Sequence, residues 1–329
     1  MQRLHAIFGN SALKPNYFSI STDSTTLISN AHSLVSGEEQ YENINFWNLS
    51  TGELIKTLNF RHDHIGVGCY ERWLVGIVYN ANVVMTLNLA TEESIFILDA
   101  APRCLPLQKN SVTPLAISPF EPIIVCGGDL IYKPPQTGHI KAYNLLSEPI
   151  DREIGAIRLP AQSFKWQPER YPDYGSSVFI SPDSNTLLCQ SLLINQGIHR
   201  LWDLRTGTLI RTSATSSSGL AQCIAVNQTG QLLACGCRGE HVEVWDLHTD
   251  KVIYSIDGHL PITITIDGRF LAYCRNKNEI ILRDLENNRD FHTLNECSST
   301  IERIALSPDG KWLVSYNQDR TIEVWHVFQ

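Results

Sequence analysis

Leu201-Trp202-Asp203-Leu204 and Val244-Trp245-Asp246-Leu247 are two copies of one short phrase: an apolar residue, a large one, a polar one, then Leu or Val. It recurs, loosely in places, as Phe46-Trp47-Asn48-Leu49, Thr86-Leu87-Asn88-Leu89 and Ala142-Tyr143-Asn144-Leu145. Leu282-Arg283-Asp284-Leu285 and Val324-Trp325-His326-Val327 complete the series. Counted on the second residue, the spacings are 40, 56, 59, 43, 38 and 42. A period near 40 residues marks a repeat architecture, and a repeat has to be recognised before any local reading is made.

Turn signals flank each copy. Ser307-Pro308-Asp309-Gly310 precedes the β-rich run Lys311 to Ser315, Ser181-Pro182-Asp183-Ser184 opens the same kind of turn, and Ser118-Pro119 begins another. Thr229-Gly230 and Asp267-Gly268 end two more. Behind the phrase, Thr51-Gly52 leads to Leu54-Ile55-Lys56-Thr57-Leu58, and Thr206-Gly207 leads to Leu209-Ile210-Arg211-Thr212. Polar turns between β-branched runs read as hairpins. Each repeat then holds four short strands, a to d, with the phrase on strand c. Seven such units predict an all-β fold, a seven-bladed β-propeller of four-stranded antiparallel blades.

These residues resemble the WD-repeat family. Trp202-Asp203 and Trp245-Asp246 are its naming dipeptide, and Gly258-His259 matches its other short signature. The resemblance spans essentially the whole chain as a single domain. The expected blades run 11–60, 61–101, 102–160, 161–213, 214–257, 258–295, and 296–329 together with 1–10. The last repeat stops at strand c, and a strand-like run, Leu4 to Phe8, precedes the first. The resemblance implies that this N-terminal strand completes the last blade and removes an exposed sheet edge.

The family often links a His, a Ser or Thr, an Asp and the Trp within a blade. Only Asp319 keeps the expected position, six residues before Trp325, with Ser315 as its strand-b companion. The blade carrying His259 has Tyr273, Lys277 and Arg283 instead. The full set survives nowhere, so apolar packing between sheets is expected to carry more of the stability. Trp47, Trp202, Trp245 and Trp325 are expected to be core anchors. Cys126, Cys189 and Cys235 align with Ser29, Gly76 and Ser315, a position that wants a small side chain.

The 329 residues are 43% hydrophobic and 18% charged, with a net charge of −8. An acidic surface repels phosphate, so no nucleic acid is expected, and a protein or peptide partner of basic character fits better. No apolar run approaches the ~20 residues of a membrane span. Nine cysteines without a CxxC pair suggest neither a disulfide framework nor a zinc site. The expected setting is cytoplasmic.

Catalytic phrases are missing: no Gly-x-Ser-x-Gly, no phosphate loop, no His-Glu-x-x-His. His62-Asp63-His64 could present two imidazoles to a metal, but no third ligand lies near it in sequence. Gly127-Gly128-Asp129 reads as a strand turn sooner than as a phosphate site. No cofactor, no metal and no enzymatic activity are expected.

The two long spacings mark insertions at Gly127 to His139 and roughly Pro160 to Ser177. A further loop is expected over Ala31 to Asn43, with Glu38, Glu39 and Glu42, and a shorter one over Leu192 to Gly197. In a propeller, b–c and d–a connections emerge on one face, so the two insertions should lie side by side. They hold Tyr132, Lys133, Phe164, Trp166, Arg170, Tyr171 and Tyr174, types enriched at interface hot spots. Folding back to cap the propeller is the structural alternative. Three functions stay open. They are an interaction scaffold or adaptor, a recognition module acting with a separate effector, and an enzyme or small-ligand binder using the central channel.

Overall fold

Phe270–Asn276 and Trp312–Asn317 are apolar on both faces, and nearly every residue in them is buried. A strand reads that way when other layers cover its sheet on both sides. The computed structural model describes residues 2–8, 18–21, 23–32, 41–61, 73–78, 83–89, 91, 94–98, 115–118, 121, 123–126, 138–145, 151–153, 156–158, 161–166, 177–181, 183–193, 196–214, 224–227, 231–237, 241–249 and 251–327. Among these residues the regular structure is all β and falls into seven sheets. The chain forms two compact units, Met1–Arg61 with Ala221–Gln329, and His62–Leu220.

The first unit holds four sheets. β1 (Gln2–Phe8) is followed by the meander β2 (Phe18–Ile20), β3 (Thr26–His32), β4 (Tyr41–Asn48) and β5 (Leu54–Arg61). The second unit contributes β6 (Trp73–Val78), β7 (Val83–Asn88) and β8 (Ser94–Leu98). Its next strands are β9 (Leu115–Ile117), β10 (Ile123–Cys126), β11 (Gly138–Asn144), β12 (Asp151–Glu153), β13 (Ala156–Arg158) and β14 (Ala161–Trp166). It ends with the meander β15 (Ser177–Ile180), β16 (Thr186–Leu193), β17 (Gln196–Asp203) and β18 (Leu209–Ala214). Back in the first unit come β19 (Ile224–Val226), β20 (Leu232–Cys237), β21 (His241–Asp246) and β22 (Lys251–Asp257), then β23 (His259–Ile264), β24 (Phe270–Asn276), β25 (Glu279–Asp284) and β26 (Arg289–Leu294). The last strands are β27 (Ile301–Leu306), β28 (Trp312–Asn317) and β29 (Thr321–His326), and β1 adds to β29 as the fourth strand of their sheet. That pairing is antiparallel and runs from Gln2 opposite His326 to Phe8 opposite Thr321.

The strand-b register explains the small residues. Ser29 faces Asn45, Cys235 faces Glu243 and Ser315 faces Glu323, each two positions from the pair made by the strand-c tryptophan. Cys189 and Cys126 take the same place opposite Arg200 and Lys141. Ser29, Cys235 and Ser315 are all buried. In the first unit, neighbouring sheets share apolar cores. Leu27 and Leu49 meet Val314 and Tyr316, Leu282 and Leu294 meet Ile304 and Trp325, and Val244 meets Ile264 and Leu271. In the second unit, Val125 and Ala142 meet Leu187 and Trp202.

The a–b turns form a second tie between sheets. Ser21, Ser181, Thr265 and Ser307 each donate to an aspartate two residues on, at 2.5–2.6 Å, and accept the amide that opens strand b. The turn's last residue has positive φ: Ser24, Ser184, Gly268 and Gly310. At Ser24, Ser184 and Gly268 that residue meets the turn of the preceding sheet. Ser24 Oγ accepts the Asp309 N–H at 3.2 Å, and the Ser184 and Ser118 hydroxyls bond each other. At Gly268 a Cβ would come within 2.8 Å of the Asn227 side-chain amide, so glycine fits this turn without displacing that side chain, and it adopts the positive φ without strain.

Three expectations change. The boundary at 160 moves, because Ala161–Trp166 is the outer strand of the third sheet and the hairpin β12–β13 belongs to the second. Phe164-Lys165-Trp166 alternates apolar and polar, a short trace of strand periodicity in the sequence. The loop expected over 31–43 is narrower, since Ala31 pairs with Asn43 and His32 with Glu42. The loop over 192–197 closes to a hairpin in which Leu193 pairs with Gln196.

Two stability outcomes follow. Trp325→Ala empties a site that is 1% exposed and should cost about 3–5 kcal/mol in a denaturant titration. Deleting residues 1–9 leaves β29 as a bare edge and should sharply lower the melting midpoint; an unchanged curve would show that β1 contributes nothing.

Candidate interaction surfaces

The aspartate of the Trp-Asp dipeptide is a turn cap. Asp203 Oδ1 accepts the amides of Arg205 and Thr206 at 2.9 and 2.8 Å, and Asp246 Oδ1 those of His248 and Thr249 at 2.8 and 3.2 Å. Asp284 takes the Asn287 amide at 3.0 Å, and Asn48, a neutral substitute, takes those of Ser50 and Thr51. The Thr206 amide holds the Asp203 carboxyl below its ordinary range. For Asp246, burial pushes upward but hydrogen bonds from Thr249 and His248 outweigh it.

Each capped turn releases the chain into an outer strand, and there a β-bulge intervenes. Phe46 pairs with Lys56 and Trp47 with Leu54, so Ile55 is left out of the ladder. Ile210 and Ile253 are left out in the same way. A bulge re-aims side chains. Leu54, Ile55, Leu209, Ile210, Val252 and Ile253 are 39–55% exposed, and they are the exposed large hydrophobics among the described residues. Single exposed aliphatics need no explanation, but the same pair in three sheets does.

The expected rim residues divide. Tyr132, Lys133, Arg170, Tyr171 and Tyr174 lie outside the described residues, as does His62-Asp63-His64. Phe164 and Trp166 are on β14, opposite Ile140 and Gly138 of β11. They are therefore part of a sheet, not of a free loop. Among the described residues no group of three or more His, Cys, Asp or Glu is placed to hold a metal ion.

Polar sets replace the family's arrangement. Trp47 Nε1 donates to Ser29 Oγ at 2.9 Å; where Cys235 stands in for the serine, Trp245 Nε1 turns to Glu243 at 3.0 Å. Around Trp325, Asn317 Nδ2 donates to Glu323 Oε2 at 2.8 Å and to Thr321 Oγ1 at 3.0 Å, while the Ser298 and Thr321 hydroxyls bond at 2.9 Å. Burial would raise the Asp319 carboxyl, but hydrogen bonds from Thr321 and Ser298 bring it below the ordinary value. Ser298 thus joins the set around Asp319. Arg283, at a tryptophan position, forms an ion pair with Asp290 at 2.8 Å, and Asp290 also holds Arg275 at 2.6 Å. These two clusters add polar ties within their sheets beside the apolar packing between sheets.

A family profile described as "WD domain, G-beta repeat" matches residues 207–246 and 289–326. Those two stretches are similar to WD repeats. The first match begins in the turn before β18 and the second at the start of β26, and each ends on the next strand c, β21 or β29. The chain is also 28% identical over 160 residues to "Protein groucho" of Drosophila melanogaster, covering 47% of this chain and 21% of that protein. It therefore spans about a fifth of that relative's length. WD repeats serve, as a class, as protein-interaction modules without catalysis of their own.

The capping geometry sets a pH response. A carboxylate with a lowered folded-state pKa adds stability that is present above its unfolded pKa of about 3.9 and is lost as pH falls through the folded value. The Asp203→Asn, Asp246→Asn double variant should match the parent near neutrality, because Asn48 already performs the role. Below about pH 4 it should lose stability less steeply than the parent in acid denaturation. Equal slopes would show that these caps do not titrate with folding.

Proposed function

We propose that the chain is a non-catalytic interaction scaffold. In this reading it is a seven-bladed propeller, closed by β1, that offers the connections at one end of its third sheet to a protein partner. The observation that carries it is the termination of three strands together. β10 ends at Cys126, and β11 begins at Gly138, which pairs with Trp166, where β14 ends. The segments 127–137 and 167–176 thus leave one end of a single sheet. Between them they hold Tyr132, Lys133, Arg170, Tyr171 and Tyr174, with Trp166 at the exit. Tyr, Trp and Arg dominate interface hot spots because each combines a large contact area with a polar group.

The net charge of −8 supports a basic partner segment. Cysteines used as small buried hydrophobes, as at Cys235, support a cytosolic setting. Affinity purification from the native source tests the reading. Trp166→Ala with Tyr171→Ala should lose a stable partner without moving the melting midpoint. If the pair chiefly unfolds the chain, these residues cap the protein and the reading fails.

A further inference from the structure

A strand at the edge of a sheet shows unpaired N–H and C=O groups, and proteins usually cover or charge such edges. This chain does both in its second sheet. β13 lies parallel on β8, with Ile157 level with Ile97, and the outermost strand β12 is Asp151-Arg152-Glu153, charged throughout.

β5 and β18 are treated differently. Among the described residues each is the last strand of its sheet. Each opens with the same chemistry, Leu54-Ile55-Lys56-Thr57 and Leu209-Ile210-Arg211-Thr212. The bulge sets the Leu-Ile pair outward at one end, 46–55% exposed. The ladder resumes at Lys56 and Arg211. Neither strand contains an Asp or Glu, although the chain carries a net charge of −8. Two cationic, aliphatic edges on an acidic protein are a local reversal of its charge.

We propose that the outer edges of β5 and β18 each dock an extended segment of a partner protein that alternates aliphatic residues with carboxylates, added to the sheet as a fifth strand. Backbone hydrogen bonds supply affinity, the aliphatic residues cover the Leu-Ile pair, and the carboxylates meet Lys56 or Arg211. β13 on β8 is the same event within one chain: an aliphatic segment pairing with an outer strand. The residues of this surface are not those of the proposed rim, and its charge preference is the opposite. β22 fits less well, because it ends on the carboxylate of Asp257 and the Tyr254 hydroxyl is committed to the Leu285 carbonyl at 2.6 Å.

The test uses the full chain and a fluorescein-labelled peptide of about ten residues alternating valine and glutamate, read by anisotropy. Saturable binding of two peptides per chain is expected. Ile55→Glu or Ile210→Glu, which removes the aliphatic contact and repels the peptide carboxylates, should remove one site each, and the double variant both. N-methylation of alternate peptide amides should weaken binding at least about tenfold, a loss specific to strand addition. A valine–lysine peptide should bind about tenfold more weakly. Binding that survives both substitutions, ignores N-methylation or prefers lysine overturns the proposal. So does loss of peptide binding in the Trp166→Ala, Tyr171→Ala chain, which would put the probe on the rim; retained binding there separates the two surfaces. Self-association abolished by Ile55→Glu or Ile210→Glu would assign the edge to a second copy and overturn the proposal as well.

Discussion

A four-stranded sheet of short strands buries too little on its own to fold, so every sheet here depends on the face of its neighbour. That constraint explains why the large strand-c side chain recurs at a constant register while nearly everything around it varies. Trp325 is 1% exposed, within a core shared with Leu282 and Leu294 of the adjacent sheet. The a–b turns repeat the dependence in polar form. A positive-φ residue of one sheet meets the turn of the sheet before it, whether as Ser24 with Asp309 or as Gly268 with Asn227. Apolar faces set the spacing of neighbouring sheets, and the turns fix their alignment.

The dipeptide that gives the family its name divides its labour accordingly. The tryptophan belongs to the packing between sheets, and the aspartate belongs to the turn beyond it. Because the two tasks are separate, each can be replaced alone. Asn48 caps its turn as Asp203 does, and Arg283 stands in a tryptophan position by pairing with Asp290. The divergence of this chain is therefore local, and the polar sets around Asp319 and Arg283 show it being compensated within the same sheet.

Much of this was legible in the sequence because the repeat phrase carries its own register. The seven phrases lie on seven strands c, and the strand-b cysteines fall where Ser29 and Ser315 do. What escaped had physical reasons. β12 and β13 are three residues each and rich in charge, so their strand character comes from the β8 edge they cover and not from propensity. β14 was hidden inside an apparent insertion because 56- and 59-residue spacings suggest loops more readily than a displaced outer strand. The bulges that turn Ile55 and Ile210 outward leave no mark in composition, since Leu-Ile is as natural inside a strand as outside it. Of the expected rim, Trp166 is described through its backbone pairing with Gly138, and Tyr132, Lys133, Arg170, Tyr171 and Tyr174 lie outside the described residues.

The pairing of β1 with β29 has a consequence for how the chain is made. Gln2 sits opposite His326, more than 300 residues away. At translation rates of roughly 5–20 residues per second, the first strand waits on the order of 15–60 s for its partner. During that time Gln2–Phe8 is an unsatisfied strand beside a growing chain, and the sheet it completes is the last that can close. Contacts of such sequence separation slow folding. Gln2–Phe8 is therefore open to mispairing until Thr321–His326 has been synthesised.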